Sequence, residues 1–259
     1  MMQFTEQEIN AVKYYIGDCA EFEQDDFWSD TKAYNVINSL FYFGIRTELE
    51  RVNEGKFLNP AIVSDMERLE KLLDNLFSAC KKSKNTELMQ TYRVERFSDY
   101  QAIKQAGKTI SFTSTSKNYF LKAYQDRAGI ALMRFVIPVG TPCIDMQKFF
   151  ENYAKPEETE TLLPPNLNLQ IAEIPITESE LQILDANGNS PVVSCLATVR
   201  GMQKPDIQKF RALPENSEIT AKNILFLLNQ HKKISLLDFK KYSEWKQILI
   251  NRIFCRYFS

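Results

Sequence analysis

Hydrophobic residues recur at helical spacing along the first third of the chain. Three groups carry the pattern within residues 3–88: Ile9, Val12, Tyr15 and Ile16; Val36, Ile37, Leu40, Phe41 and Phe43; and Met66, Leu69, Leu72, Leu73, Leu76 and Phe77. Each places its apolar side chains on one helical face. Ser64-Asp65-Met66-Glu67 has the composition of a helix start, and the polar stretch KKSKNTE (81–87) indicates a break. The pattern predicts an N-terminal helical lobe.

From Leu88 the pattern changes to short runs rich in β-forming residues. In order, these runs are MQTYRVERF, KTISFTSTS, IALMRFVIPVG, TETLLPP, LNLQIAEIPI, LQILDA and VVSCLATVRG. Asn187-Gly188 between the last two is typical of a hairpin turn. Between the second and third runs, SKNYFLKAYQDRAG (116–129) indicates a short helix plus loop.

After Gly201 two helical segments follow, ITAKNILFLLNQHKK and SLLDFKKYSEWKQILINRIFCRYF. Helices, then strands, then helices indicate an α+β fold rather than alternating βαβ units. The predicted division is an N-terminal helical lobe (1–88), a β core (89–201) and a helical C-terminal extension (202–259).

Composition excludes several classes of function. The 259 residues carry a formal charge of −1, so the whole molecule is not an electrostatic nucleic-acid binder. The single histidine, His231, excludes zinc sites built on two or three histidines, and we interpret it as a helix-end residue. Five widely spaced cysteines without a C-x-x-C pattern indicate reduced thiols and folding in the cytosol. We expect no secretory signal and no transmembrane helix.

Three polar motifs stand out in the strand-rich region: Arg93 in TYRVER, Ser114-Thr115-Ser116, and Glu158-Thr159-Glu160 before Leu-Leu-Pro. Each alone is ordinary: an edge arginine, exposed β hydroxyls, a solvated acidic run. Together they form a coherent chemical set. An arginine suits a pyrophosphate, and a serine can orient a carboxylate. A carboxylate stabilises an oxocarbenium-like centre, and a second one, two residues away in an extended segment, lies on the same side.

These motifs resemble those of the mono-ADP-ribosyltransferases of the arginine/serine/glutamate class, which include bacterial toxins and effectors. Tyr14-Tyr15, Ile37-Asn38-Ser39-Leu40 and LMRFVIPVGTP also resemble family segments, so the resemblance covers roughly residues 5–200. It implies a two-sheet mixed β core of ADP-ribosyltransferase type. Two features favour aligning the family's Glu-x-Glu motif with Glu158 and Glu160 rather than with a pair that uses Glu157. They are the spacing of the two glutamates and the Leu-Leu-Pro that follows.

The resemblance implies a role for each matching residue. Glu160 would be the catalytic glutamate, Glu158 the acceptor-side glutamate, and Ser114 the residue that positions Glu160. The implied NAD-binding residues are Arg93, Val94, Ser114, Thr115, Ser116, Glu160 and, less directly, Phe120, Tyr124 and Arg127. The implied acceptor-recognition loop, from Met146 to Glu158, carries Phe149, Phe150 and Tyr153.

The resemblance therefore implies transfer of ADP-ribose from NAD to an arginine of a target protein, with release of nicotinamide and without a metal. The setting it implies is a bacterial effector or toxin delivered into a host cell. The alternatives are an NAD glycohydrolase, an inactive NAD- or partner-binding module and, less favoured by the charge balance, a polynucleotide acceptor.

The C-terminal segment admits two interpretations. Tyr242, Trp245, Leu249 and Ile253 share a helical face with lysines and Arg252 nearby. Either the helix packs on the transferase, or it is a basic amphipathic element that binds a target protein or an anionic membrane.

Overall fold

The computed structural model describes residues 4–16, 34, 37–38, 41, 66–118, 129–150, 159–186, 191–204, 223 and 232–258. The chain forms two compact units. One contains Gln3–Ala79 together with Lys204–Ser259, and the other contains Cys80–Gln203. The three-part division expected from the sequence stays a prediction.

Along the chain, the structure describes two helices, then a core of strands and helices, and then a final helix. The helices are α1 (Glu6–Ile16), α2 (Met66–Lys82), α3 (Phe97–Ala106), α4 (Met146–Phe149), α5 (Glu178–Ala186) and α6 (Leu236–Phe258). The strands are β1 (Met89–Arg96), β2 (Thr113–Ser116), β3 (Ile130–Ile137), β4 (Ile144–Asp145), β5 (Glu160–Leu163), β6 (Leu167–Glu173) and β7 (Pro191–Met202).

The first unit is built from helices that meet through aromatic and aliphatic side chains. Phe77 of α2 contacts Phe254 and Phe258 of α6, with ring centroids 5.6 and 6.2 Å apart. Arg256 donates to Asp74 at 3.0 Å beside this contact. Helix α6 is thus present as predicted, and its Phe254 and Phe258 pack on α2.

Side-chain hydrogen bonds stabilise the start of the first unit at two places. Helix α1 begins with a capping box, in which the Glu8 nitrogen donates to Thr5 Oγ1 at 3.2 Å and the Thr5 nitrogen donates to Glu8 Oε2 at 2.8 Å. The side chains of Tyr15 and Asn38, from the two family-like helical segments, are hydrogen-bonded through Asn38 Nδ2 at 3.0 Å.

The second unit contains one mixed sheet. Its seven described strands lie in the order β4-β5-β2-β1-β3-β7-β6, with β3 and β7 parallel and the other pairs antiparallel. The two separate sheets implied by the resemblance are not confirmed, because β1 and β2 connect the two halves. The connection between β1 and β2 is short, because their described register consists of the pair Tyr92↔Ser116.

Two hydrophobic clusters cover opposite faces of the sheet. One includes Met133, Phe135 and Cys195 together with Tyr100 and Ile103 of α3. The other includes Val94, Ile130 and Leu132 with Leu184 of α5. Packing on both faces explains why β3 is buried along nearly its whole length.

Two helices in this unit differ from the sequence prediction. The run LQILDA (181–186) lies in helix α5, not in a strand, so the hairpin predicted at Asn187-Gly188 lacks its first strand; residues 187–190 lie outside the described residues. The helix begins with a Thr177–Glu180 capping box, in which the Thr177 nitrogen donates to Glu180 Oε2 at 2.8 Å. The pattern also did not predict α3, which ends at Ala106 and is followed by the C-cap residue Gly107, with φ of 63°.

Among the described residues, no helix is long and apolar enough to cross a membrane. His231, residues 119–128 and most of ITAKNILFLLNQHKK lie outside the described residues.

Candidate active site

Strand β1 places Arg93 and Val94 on opposite faces of the sheet, because successive side chains alternate. Val94 is 1% exposed and packs with Ile130, Leu132 and Leu184. Its side chain therefore belongs to the core. Contact of its main chain with nicotinamide stays a prediction.

The Arg93 guanidinium bridges β1 and β2. Its Nη1 donates to the main-chain oxygen of Ser114 at 2.7 Å, and its Nε donates to the Glu95 carboxylate. The contact lies beside the ladder pair Tyr92↔Ser116. The structure thus brings Arg93 and Ser114, which are 21 positions apart in sequence, into direct contact.

The Ser-Thr-Ser motif forms the end of β2 and fastens it to β5. Thr115 Oγ1 donates to the Thr161 carbonyl oxygen at 2.9 Å, and the hydroxyls of Ser116 and Thr159 are 3.3 Å apart. Thr115 and Ser116 are buried, whereas Ser114 is half-buried. The described contacts of Thr115 and Ser116 are with β5 and the residue before it, and their contact with NAD stays a prediction.

Glu160 is the first residue of β5 and lies directly opposite Ser116. Residues that pair in this way project from the same face of a sheet, and Ser114, two residues earlier on β2, shares that face. Leu162 and Leu163, both fully buried, hold the strand in place. Glu160 itself is half-buried. Ser114 and Glu160 therefore stand on one face of the sheet, on neighbouring strands.

Thr159 has a left-handed backbone, with φ of 40°. This conformation is strained for a β-branched residue, and such strain is concentrated at functional sites. Its carbonyl oxygen accepts from the Lys117 nitrogen at 3.1 Å, and its hydroxyl accepts from the Asn118 nitrogen at 3.1 Å. The expectation of an extended Glu-x-Glu segment is therefore wrong at Thr159, so strand alternation does not place Glu158 beside Glu160.

Several predicted site residues lie outside the described residues: Phe120, Tyr124, Arg127, Tyr153 and Glu158. Of the predicted acceptor contacts, Phe149 is half-buried and lies 5.3 Å from Lys148 Nζ, measured to the ring centroid. Phe150 is 2% exposed. Contact between the Phe150 ring and an acceptor would therefore require this segment to move.

Sequence analysis did not predict two ion pairs near the site. Glu95 binds Arg93 within β1, and Lys117 Nζ lies 2.6 Å from Asp145 Oδ2. Asp145 also caps α4 by accepting from the Lys148 nitrogen at 3.3 Å. The Arg-x-Glu spacing in TYRVER is a local signal for the first pair, because residues two apart in a strand share a face. The second pair depends on strand order and has no local signal.

The described residues contain neither a group of three His, Cys, Asp or Glu side chains that could hold a metal ion nor a low-pKa thiol. Burial raises the pKa of Cys143 and of Cys195 to about 11. Both thiols therefore stay protonated near neutral pH and are poor nucleophiles.

Two cavities of the second unit lie apart from these contacts. One, of about 90 Å³, borders β4 and is lined by Ser83, Lys84, Asn85, Thr86, Glu87, Met89, Cys143, Asp145, Lys148 and Phe149. The other, an open cleft of about 400 Å³, is lined by Glu173, Ile174, Pro175, Ile176, Val192, Val193 and Ser194. Neither is lined by Arg93, Ser114 or Glu160, so the candidate site is defined by the Arg93–Ser114 contact and by strand pairing. The segments that follow β2 and precede β5, residues 119–128 and 151–158, lie outside the described residues.

Comparisons with known proteins found similarity among solved structures. No family model matches the chain, and no curated protein matches it. The ADP-ribosylating toxin BECa of a binary enterotoxin of C. perfringens, solved with NADH, is similar at 18% identity and a TM-score of 0.45, over 76% of this chain and 44% of that one. This chain thus spans less than half of that toxin's length.

Two other proteins are similar over most of their own length. The C3 exoenzyme of Clostridium limosum is 13% identical with a TM-score of 0.41, over 77% of this chain and 87% of its own. The C3larvin toxin, an ADP-ribosyltransferase from Paenibacillus larvae, is 18% identical with a TM-score of 0.36, over 76% and 97%. At these identities and TM-scores, the chain's activity has to be argued from its own residues. Two of these similar structures, BECa and C3larvin, are bacterial ADP-ribosylating toxins.

Proposed function

We propose that this protein is a mono-ADP-ribosyltransferase that moves ADP-ribose from NAD to an arginine of a target protein. One observation carries the proposal: Arg93 of β1 contacts Ser114 of β2, while Glu160 of β5 lies opposite Ser116. These three motifs, which are separated in sequence, therefore lie on adjacent strands of one sheet.

The proposed reaction breaks the bond between C1′ of the nicotinamide ribose and the pyridinium nitrogen. The electron pair of that bond leaves with nicotinamide, which becomes neutral, and C1′ takes on oxocarbenium character. The Glu160 carboxylate stabilises this positive charge. A guanidinium nitrogen of the acceptor then bonds to C1′ and loses one proton. The leaving group is already cationic in NAD, so the step needs no metal.

The remaining residues serve binding in this proposal. Arg93 binds the pyrophosphate and ribose, the Val94 main chain meets the nicotinamide amide, and Ser114 orients Glu160. Thr115 and Ser116 hold β2 against β5 and so shape the cleft. Phe120 and Arg127 are additional candidates for contact with NAD.

The arginine acceptor is proposed from Glu158. A second carboxylate in the Glu-x-Glu motif can accept the proton of an incoming guanidinium. Tyr153, Phe149 and Phe150 are proposed as acceptor contacts. An effector or toxin that acts inside a host cell is the setting we propose.

The test follows both products of the reaction. The protein is incubated with NAD labelled in the adenosine moiety and with a cell lysate, and nicotinamide release and label on protein are measured. In Glu160→Gln, we expect both to fall by roughly 10²–10³-fold, since a major source of transition-state charge stabilisation is lost. In Glu158→Gln, label should be lost while nicotinamide release persists.

Glu178→Gln is the matched control, because Glu178 is an exposed carboxylate at the start of α5, outside the site. It should behave as the unaltered protein. Nicotinamide release without label in any lysate would favour an NAD glycohydrolase with water as acceptor. Unchanged rates in Glu160→Gln would contradict the catalytic role proposed for that glutamate, whereas no turnover of NAD at all would contradict the proposed reaction and favour a binding module.

A further inference from the structure

Glu95 is a buried carboxylate that the proposed reaction does not use. It lies on β1 two residues after Arg93 and is 4% exposed. A carboxylate at such depth is stable only with a charged or hydrogen-bonded partner. Its described partner is the Arg93 side chain, which is 22% exposed and lies at the edge of the site.

Arg93 donates to acceptors on two different strands. Glu95 on β1 accepts from Nε, and the Ser114 main chain on β2 accepts from Nη1 at 2.7 Å. A guanidinium is planar and rigid, so acceptors at two of its nitrogens fix the orientation of the whole plane. Since the Ser114 contact is to the main chain, the Glu95 carboxylate is the side-chain acceptor in this pair of contacts.

We propose that Glu95 is a positioning residue for Arg93. Its carboxylate holds Nε so that the guanidinium keeps one orientation between β1 and β2, in which it binds the pyrophosphate of NAD. The inference rests on the proposed function, because it takes Arg93 to be the NAD-binding arginine. Glu95 acts through Arg93 and makes no contact with NAD itself.

Substitutions at Glu95 separate positioning from general stability. Glu95→Leu removes the acceptor at Nε, and we expect the Kd and KM for NAD to rise about tenfold, the scale of one charge-assisted hydrogen bond, with kcat nearly unchanged. Glu95→Gln keeps a carbonyl oxygen at the same reach, so it should restore the Kd to within about threefold of the unaltered value. The Kd is measured by titration calorimetry with NAD and needs no turnover.

The chain offers a matched control in Glu180→Leu. Glu180 forms a comparable buried pair in the same unit, in which Arg134 of β3 donates from Nε at 3.1 Å and from Nη2 at 2.6 Å. Loss of this pair should lower Tm at least as much as loss of the Glu95 pair, but should leave the Kd for NAD unchanged. An equal rise in Kd in Glu180→Leu would show that NAD binding follows general stability, and would overturn the inference.

Two further variants keep the test decisive. If Glu95→Leu fails to fold, Glu95→Asp withdraws the carboxylate by one methylene, and its Kd should rise about fivefold. Arg93→Lys removes the planar guanidinium that Glu95 orients. The double variant with Glu95→Leu should therefore bind NAD as weakly as Arg93→Lys alone, and no more weakly. An unchanged Kd in folded Glu95 variants would overturn this inference alone, whereas failure of the unaltered protein to bind NAD would overturn the proposed function with it.

Discussion

Thr159 directly precedes the proposed catalytic glutamate, Glu160, and its backbone conformation sets the direction of the chain there. Its left-handed backbone, with φ of 40°, costs about 1–3 kcal/mol for a residue of this shape. The hydroxyl offsets part of that cost, because it accepts from the Asn118 nitrogen and lies 3.3 Å from the Ser116 hydroxyl. The strained turn fixes the direction in which the chain enters β5, and Glu160 is the next residue.

Replacing Thr159 by glycine should separate fold stability from catalysis. Glycine adopts positive φ without strain, so we expect the free energy of unfolding to change by less than about 1 kcal/mol. Nicotinamide release should fall about tenfold, because the entry into β5 is no longer fixed. Steady-state kinetics and urea unfolding measure the two effects.

Thr159→Asn is the control for that change, because asparagine tolerates the left-handed region and keeps a side-chain acceptor. It should retain most of the activity. A glycine variant that releases nicotinamide at the unaltered rate would show that the strained turn is not needed for catalysis.

At the scale of elements, the end of β2 is tied to the start of the proposed acceptor loop. Lys117, directly after the Ser-Thr-Ser motif, pairs with Asp145 at 2.6 Å, and Asp145 caps α4, where the loop begins. Strand β5 lies between these segments, since it pairs with both β2 and β4. The Lys117–Asp145 ion pair thus connects the end of β2 with the start of α4.

Removing this ion pair should change the choice of acceptor more than the stability. The two side chains are 31% and 21% exposed, so Lys117→Ala should lower the free energy of unfolding by less than about 1 kcal/mol. The ratio of protein labelling to nicotinamide release should fall about threefold or more, because the base of the acceptor loop loses its anchor.

Lys104→Ala provides the comparison, since Lys104 forms an ion pair of the same length with Glu173, more exposed and away from the loop. It should leave the ratio unchanged. Equal effects of the two variants would show that the Lys117–Asp145 pair has no special connection to the acceptor.

At the scale of the whole molecule, the two ends of the chain fold together. The unit containing Gln3–Ala79 also contains Lys204–Ser259. Within it, Ile253 and Phe254 of α6 are fully buried, and Phe254 meets Phe77 of α2. This packing agrees with the interpretation of α6 as a helix of the folded body. Binding of a membrane or target by its basic side chains stays a prediction.

Phe254→Ala should therefore destabilise the unit that contains both ends of the chain. Loss of a fully buried aromatic ring costs about 3–5 kcal/mol, which is a large fraction of the stability of an ordinary domain. Urea unfolding, followed by far-UV circular dichroism, measures the change. Leu237→Ala, on the same helix but 66% exposed, should change stability by less than about 0.5 kcal/mol. Similar midpoints for both variants would contradict the packing described for α6.

The sequence by itself determined the features that depend on local patterns. Apolar residues at helical spacing predicted α6, and the β-forming run around Arg93 predicted β1. The β-forming run TETLLPP predicted β5, which begins at Glu160. These features follow from the propensity and periodicity of neighbouring residues, which are encoded locally.

The tertiary structure decided what depends on contacts between distant segments. LQILDA contains strand-forming residues, yet it is helical because Leu184 packs on the sheet and Glu180 both caps the helix and pairs with Arg134. The pairing of Glu160 with Ser116 and the contact of Arg93 with Ser114 arise from strand order, which no local pattern encodes. The motifs could therefore be recognised from the sequence, whereas their meeting on adjacent strands required the fold, because long-range pairing is selected by burial across the whole sheet.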